Sequence, residues 1–196
     1  MQPMLSAILL AAGESKRMGK PKQLLPFGQS TLLEQAIDNL LNSAVDEIIV
    51  VLGYKVEEVK KTIAVKPVKM VVNPNYRQGM STSIIAGLIL VDSQAQAVML
   101  ALGDQPSVDS QTINQLIEEF YRHDKGIAIP TYRGIRGHPI IFAIKYKQKL
   151  LGLKGDIGGR EIIKHHPDDV LEVAVDSESV ISDIDTRNDY RSQLGK

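Results

Sequence analysis

Three short apolar runs in this chain each stop at a glycine turn. Leu5–Leu10 runs into Ala11-Ala12-Gly13, Glu47–Leu52 (EIIVVL) into Gly53, and Ala97–Leu102 into Gly103. Continuous apolar strands of this kind suit a sheet covered on both faces, because a sheet with one wet face alternates apolar and polar residues. Helical stretches separate them. Thr31-Leu32-Leu33-Glu34 has capping-box spacing, and Leu32, Leu33, Ala36, Ile37, Leu40, Leu41 and Ala44 give the helix that follows an apolar face. Val56–Ala64 reads as a helix and Val68–Val72 as a strand; Ser81 is placed to cap a helix carrying Ile84, Ile85, Leu88 and Ile89, and Asp109–Tyr121 is a further amphipathic helix. Strand alternating with helix predicts an α/β fold of three layers, Rossmann-like, with a mostly parallel mixed sheet between helices.

Beyond Gly126 the rhythm changes. Ile127–Tyr132 and Pro139–Ala143 read as strands around the loop Gly134–His138, and Lys145–Leu151 and Gly159–His165 as short helices bracketing Gly155-Asp156-Ile157-Gly158. Leu171–Val175 is another strand. Val180–Ile184 leads to Asp185-Thr186, where Thr186 is placed to cap a last helix. No repeat, low-complexity tract or linker interrupts the 196 residues, so one domain over 1–196 is expected. The 23 cations and 23 anions balance, which argues against a surface that coats nucleic acid. Any phosphate chemistry must then come from a local patch. With no cysteine there is no disulfide framework, thiolate zinc site or cysteine nucleophile. No signal-like leader and no run of membrane-spanning length is visible, so the expected setting is the cytoplasm, with neither membrane nor nucleic acid as partner.

The local patch lies immediately after the first strand. In LLAAGESKRMGKPKQLLPF, Lys16, Arg17, Lys20 and Lys22 fall within seven positions, interleaved with Gly13 and Gly19. Small residues admit a ligand close to the backbone, and the cations supply charge where phosphates would lie. The pattern is not the dinucleotide fingerprint, whose first glycine would fall at Ala11, and G-x-S-x-G is absent as well. Nor is it a Walker A loop, since five residues separate Gly13 from Gly19 and Lys20-Pro21 follows. A nucleoside triphosphate loop is the functional reading; a solvated basic loop is the plain one.

Elsewhere, each chemical reading has a plain alternative. Asp104 follows an apolar strand, so its carboxylate emerges at the strand's carboxyl end, where it suits Mg²⁺ or an ordinary turn before Pro106. Asp183 and Asp185 bracket Ile184 and would share one face of a strand; either could complete a metal site, or both could supply helix N-terminal charge. His138 sits in a glycine-containing loop as a pocket or a structural residue. Arg160, in DIGGR, is an anion ligand beside a helix start or a surface arginine on a turn. His123, His165 and His166 are explained by helix ends.

Taken in order, LAAGESKRMGKPKQLLPFG, NPNYRQGMSTSIIAGL, LGDQP, GHPIIF, GDIGGR and DIDT resemble the molybdenum cofactor cytidylyltransferase group. These belong with the molybdopterin-guanine-dinucleotide-synthase-like nucleotidyltransferases, which have a glycosyltransferase-A-like, nucleotide-diphospho-sugar transferase fold. The matches cover nearly the whole chain, Leu9 to Asp189. The resemblance implies Mg²⁺-dependent transfer of CMP from CTP to the terminal phosphate of molybdopterin, releasing pyrophosphate. An apo-molybdoenzyme of the xanthine dehydrogenase type would receive the product. Related guanylyltransferases carry LAGG where this chain has LAAG at Leu10–Gly13, which favours cytidine. By the same resemblance Leu10, Ala11, Ala12 and Gly13 admit the nucleotide, Arg17 and Lys22 hold the triphosphate, and Gly79 and Ser83 lie beside the base. Asp104 and Asp185 are the implied metal ligands, and His138 and Arg160 face the pterin phosphate. The competing readings are transfer to another small phosphate such as a sugar phosphate, an NAD(P)H-dependent oxidoreductase, and a non-catalytic cofactor carrier.

Overall fold

Alternate residues of Leu5–Ala11 (β1) face opposite layers, and both faces are dry. Leu5, Ala7, Leu9 and Ala11 join one core cluster, while Ile8 joins the other. The computed structural model describes residues 4–15 and 18–194. β1 is an interior strand of the sheet, parallel to Glu47–Leu52 (β4) on one side and Ala97–Leu102 (β6) on the other. The continuous apolar sequence of β1 follows from that position.

Pro26–Phe27 (β2) and Ser30–Thr31 (β3) form a small separate hairpin. Thr31 then caps Leu32–Leu41 (α1) with the expected capping box, its side chain accepting from Glu34 N–H while Glu34 returns to the Thr31 backbone. After β4 come Val56–Ile63 (α2), Lys69–Val72 (β5) and Met80–Leu90 (α3). After β6 come Ser110–Arg122 (α4), Ile127–Tyr132 (β7), Ile135–Arg136 (β8), Ile140–Ala143 (β9), Lys147–Leu151 (α5), Arg160–His165 (α6), Val170–Ala174 (β10) and Arg187–Leu194 (α7). The main sheet runs β10-β7-β9-β6-β1-β4-β5, with β8 paired to β7. Only β9 and β8 run against the rest, so the sheet is mixed and mostly parallel.

Helices α1, α2 and α4 cover one face through Leu33, Ile37, Val59, Leu116 and Phe120. The other face lies under α3, α5 and α6 through Ile84, Leu88, Leu150, Ile162 and Ile163. Each such side chain, taken fully out of water, stabilises the fold by about 1.5–3 kcal/mol before chain entropy is counted. Among the described residues no helix is long and apolar enough to cross a membrane.

Two expected local details are different. Ser81 does not cap α3: the helix begins at Met80 with Gly79 as its flanking residue, and Ser81 is buried within the first turn. The strand that would put Asp183 and Asp185 on one face does not form. Glu178–Ile181 makes a 3-10 turn, and the Val180 carbonyl accepts from the His138 N–H (2.8 Å) and from Gln105 Nε2 (3.2 Å) rather than from a sheet neighbour. Thr186 does sit at the start of α7, accepting from Asp189 N–H at 3.2 Å while Asp189 accepts from Thr186 N–H at 2.7 Å.

Candidate active site

The carboxyl ends of β1 and β6 open into a cleft of about 690 Å³, walled also by the segment leading into α3. Ligands of parallel α/β sheets bind at such ends, because there the chain leaves the sheet and its loops diverge. Three hydrogen bonds fix the loop after β1. Gln23 is 4% exposed, and its Nε2 donates to the carbonyls of Ala11 and Gly13, both at 2.9 Å. The Tyr54 N–H donates to the Ala12 carbonyl at 3.1 Å. With these carbonyls engaged, the loop offers an incoming phosphate small side chains rather than carbonyl oxygens whose partial charge would repel it. Gly53 permits the same contact, since a Cβ there would lie 2.7 Å from the Ala12 carbonyl oxygen.

Lys22 opens a 3-10 turn, Lys22–Leu24, and its N–H donates to Ser15 Oγ at 3.0 Å. Its ammonium reaches back between two carboxylates. Nζ donates to Asp104 Oδ2 and, at 3.0 Å, to Asp185 Oδ1. Burial works against the ammonium most strongly, but Asp104 and then Asp185 outweigh it and hold the Lys22 pKa above the ordinary lysine value. Asp104 arrives from the end of β6. Asp185 is brought to it by the Ile184 N–H, which donates to the Asp104 carbonyl at 3.0 Å. Asp183 goes elsewhere and accepts from Gln105 Nε2 at 2.6 Å. The two aspartates expected on one face therefore part, and the break in extended structure before them is the reason.

On the far wall, Ser83 is buried and its Oγ accepts from Asn73 Nδ2 at 2.9 Å, which leaves the hydroxyl hydrogen available to a ligand acceptor. Gly79 lies beside it with φ +113°, a conformation that disfavours side chains. Leu10, Ala11, Ala12, Gly13, Lys22, Gly79, Ser83, Asp104 and Asp185 all line this cleft. Arg17 lies outside the described residues, as does Lys16. His138 and Arg160 are not part of the cleft wall. Burial, then the Arg160 charge, pull the His138 pKa down to about 4, with Asp104 opposing. Arg160 itself is exposed at the head of the six-residue α6.

Sequence reading missed three contributors. Gln23 clamps the loop from within the same motif. Glu14 and Arg77 form an ion pair across the rim at 2.6 Å, joined by the Tyr76 hydroxyl at 3.2 Å from Glu14. Asp156 accepts from the Met80 N–H at 3.0 Å and Gly155 from the Ser81 N–H at 3.1 Å, so the GDIGGR loop plugs the start of α3. Asp156 alone carried a weak signal, as an acid in a glycine-rich turn.

The donor set fits a hard divalent cation. Two buried side-chain oxygens lack a hydrogen-bond partner among the described residues, Asp104 Oδ1 and Gln23 Oε1, and both residues line the cleft. Among the described residues no group of three acids or histidines is assembled for a metal. Two carboxylates are nevertheless what Mg²⁺ takes when phosphates and water supply its remaining oxygens.

Residues 7–170 match the family described as the MobA-like NTP transferase domain. The chain is 30% identical over 187 residues to the molybdenum cofactor cytidylyltransferase of Escherichia coli K12, covering 95% of this chain and 93% of that protein. It is also 30% identical over 194 residues to the nicotine blue oxidoreductase of Paenarthrobacter nicotinovorans, covering 94% of this chain and 93% of the other. Among solved structures, the complex of Rv0371c from Mycobacterium tuberculosis H37Rv with manganese superposes with a TM-score of 0.87 at 30% identity, over 100% of both chains.

Proposed function

Because this chain is a nucleotidyltransferase belonging to the MobA-like NTP transferase family, we propose that it transfers CMP from CTP to the terminal phosphate of molybdopterin. An oxygen of that phosphate attacks the α-phosphorus of CTP, a new P–O–P bond forms, and the bond to the β-phosphate breaks to release pyrophosphate. The acceptor oxygen is already anionic near neutral pH, so no residue need remove a proton from it. What the chain must supply is alignment and charge. The observation that carries this reading is Lys22, an ammonium held at the mouth of the loop after β1 by Asp104 and Asp185.

Lys22, with Arg17 by resemblance, neutralises the triphosphate and then the departing pyrophosphate. Ala11, Ala12 and Gly13 let the nucleotide approach the backbone, and the Ser83 hydroxyl donates to a pyrimidine carbonyl. By resemblance His138 and Arg160 are assigned to the acceptor phosphate, although neither lines the cleft itself. Asp104 and Asp185 would hold Mg²⁺, which when bound supplies charge neutralisation and orientation of the phosphates. Ala12, where the related guanylyltransferases carry glycine, favours cytidine, and an enzyme of the xanthine dehydrogenase type is the proposed recipient of the product.

The deciding experiment is pyrophosphate release with molybdopterin, Mg²⁺, and CTP, GTP or ATP in separate reactions. Release with CTP alone supports the reading; release with GTP would keep the chemistry and overturn the base. The relative named nicotine blue oxidoreductase supplies the second reading. Silence with every nucleotide, together with NADPH oxidation in the presence of a pigment-like acceptor, would favour it.

A further inference from the structure

We propose that Lys22 is the resident counterion of the Asp104–Asp185 pair, and that a divalent cation enters this site only by expelling the ammonium toward the nucleotide. This rests on the nucleotidyl-transfer reading for the nucleotide, and on the geometry alone for the exchange. The Lys22 side chain is 15% exposed, Asp104 19% and Asp185 40%, so the three charges meet at the cleft wall, partly shielded from water. Lys22 occupies Asp104 Oδ2 and Asp185 Oδ1 at once. Asp104 Oδ1 is buried and has no partner among the described residues. A cation could approach that one oxygen with the ammonium in place. Taking Asp185 Oδ1 as well would set the cation and the ammonium in competition for the same carboxylate pair, and Coulomb repulsion at that distance disfavours holding both.

The side chain is built to leave. Its backbone is pinned, by Ser15 Oγ at Lys22 N–H and by the neighbouring Gln23 clamp on Ala11 and Gly13. The flexible stem can therefore swing while the loop keeps its shape. Outside the pair, the ammonium's best partner is a phosphate in the cleft. Metal alone must break two ion pairs with no replacement for Lys22, whereas metal with a triphosphate replaces them. The two ligands therefore bind with positive and reciprocal coupling. The lysine of the phosphate loop thus has a second task, keeping the acid pair compact and occupied until both ligands are present.

The test is lysine acylation followed by mass spectrometry on the wild-type protein, alone, with Mn²⁺, with CTP, and with both. Lys22 should be protected in the metal-free protein, gain reactivity severalfold with saturating Mn²⁺, and be protected again when CTP joins it. Mn²⁺ binding measured by electron paramagnetic resonance should be roughly tenfold tighter in Lys22→Met than in wild type, a size typical of coupled sites. Asp104→Asn should abolish the Mn²⁺-driven exposure. Binding of Mn²⁺ with Lys22 reactivity unchanged would overturn the exchange, and so would failure of Mn²⁺ to bind wild type and Lys22→Met alike. Exposure by Mn²⁺ without protection by CTP would sustain the exchange and count against the nucleotidyl-transfer reading.

Discussion

Asp104 stands where burial and ion pairing oppose each other, because its carboxylate is held in the wall of a cleft and charged partners must compensate for lost water. An Asp104→Asn substitution keeps the size and one acceptor but removes the charge. Pyrophosphate release should fall by roughly 10²–10³-fold, the usual effect of deleting one charge-organising group. Melting should stay cooperative, and full turnover would remove Asp104 from the chemistry. Gln23→Leu makes a different demand. It leaves the Ala11 and Gly13 carbonyls without their donor, at a cost of about 1–3 kcal/mol in stability. CTP binding by calorimetry should weaken because the loop loses its fixed shape; unchanged affinity with lowered stability would confine Gln23 to folding. Sequence showed the cations because they are contiguous and their charge is a local property. It did not show Gln23 as a clamp, since that role depends on how the loop folds back over it. The Glu14–Arg77 pair joins positions separated by 63 residues, a distance no spacing rule spans.

Helix α3 and the loop before α6 work as one element although their sequences are far apart. Gly79 packs so tightly on that loop that a Cβ would lie 2.4 Å from the Gly155 backbone, at a φ already unfavourable for alanine. Gly79→Ala should therefore destabilise by about 1–3 kcal/mol. Asp156→Ala, which removes the acceptor for Met80 N–H, should cost about 1 kcal/mol as a lost helix cap. Both act on one contact, so the double variant should lose less than the sum in chemical denaturation. Strict additivity would show that loop and helix do not stabilise each other. The main strands and helices of the sheet were legible because their patterns repeat within a few residues. The start of α3 was misread at Ser81 because the real acceptors come from a loop 76 positions away. The strand that would put Asp183 and Asp185 on one face does not form. The Val180 carbonyl just before them is claimed by the His138 loop and Gln105, a competition that only the folded chain sets up.

For the molecule as a whole, the reversed strand β9 follows the His138 loop, and that loop is tied to the C-terminal segment which carries Asp185. Burial first and Arg160 second hold His138 near a pKa of about 4, below its ordinary 6.5. In the window between those values the unfolded chain takes up a proton that the native state refuses. Stability must therefore fall as pH drops through it and recover as pH rises. The slope from this one group cannot exceed about 1.4 kcal/mol per pH unit, and the full loss is on the order of 3 kcal/mol. Asp169 shows the usual carboxylate case. Hydrogen bonds from Lys145, Tyr146 and the Gly126 N–H overcome the opposing effect of burial and hold it at about 2, so its contribution is lost only below the ordinary value of 3.8. Urea denaturation of wild type and His138→Gln at pH 7, 6, 5 and 4.5 separates the effects, since groups common to both chains cancel in the difference. The wild-type curve should lose stability more steeply toward acid, with the two slopes converging above pH 7. Parallel curves across the range would mean that His138 titrates as an ordinary histidine, and that the joint between β9 and the Asp185 segment is open to water. A steeper wild-type slope would place that joint among the cooperative, dry parts of the fold, which is what keeps Asp185 in register with Asp104.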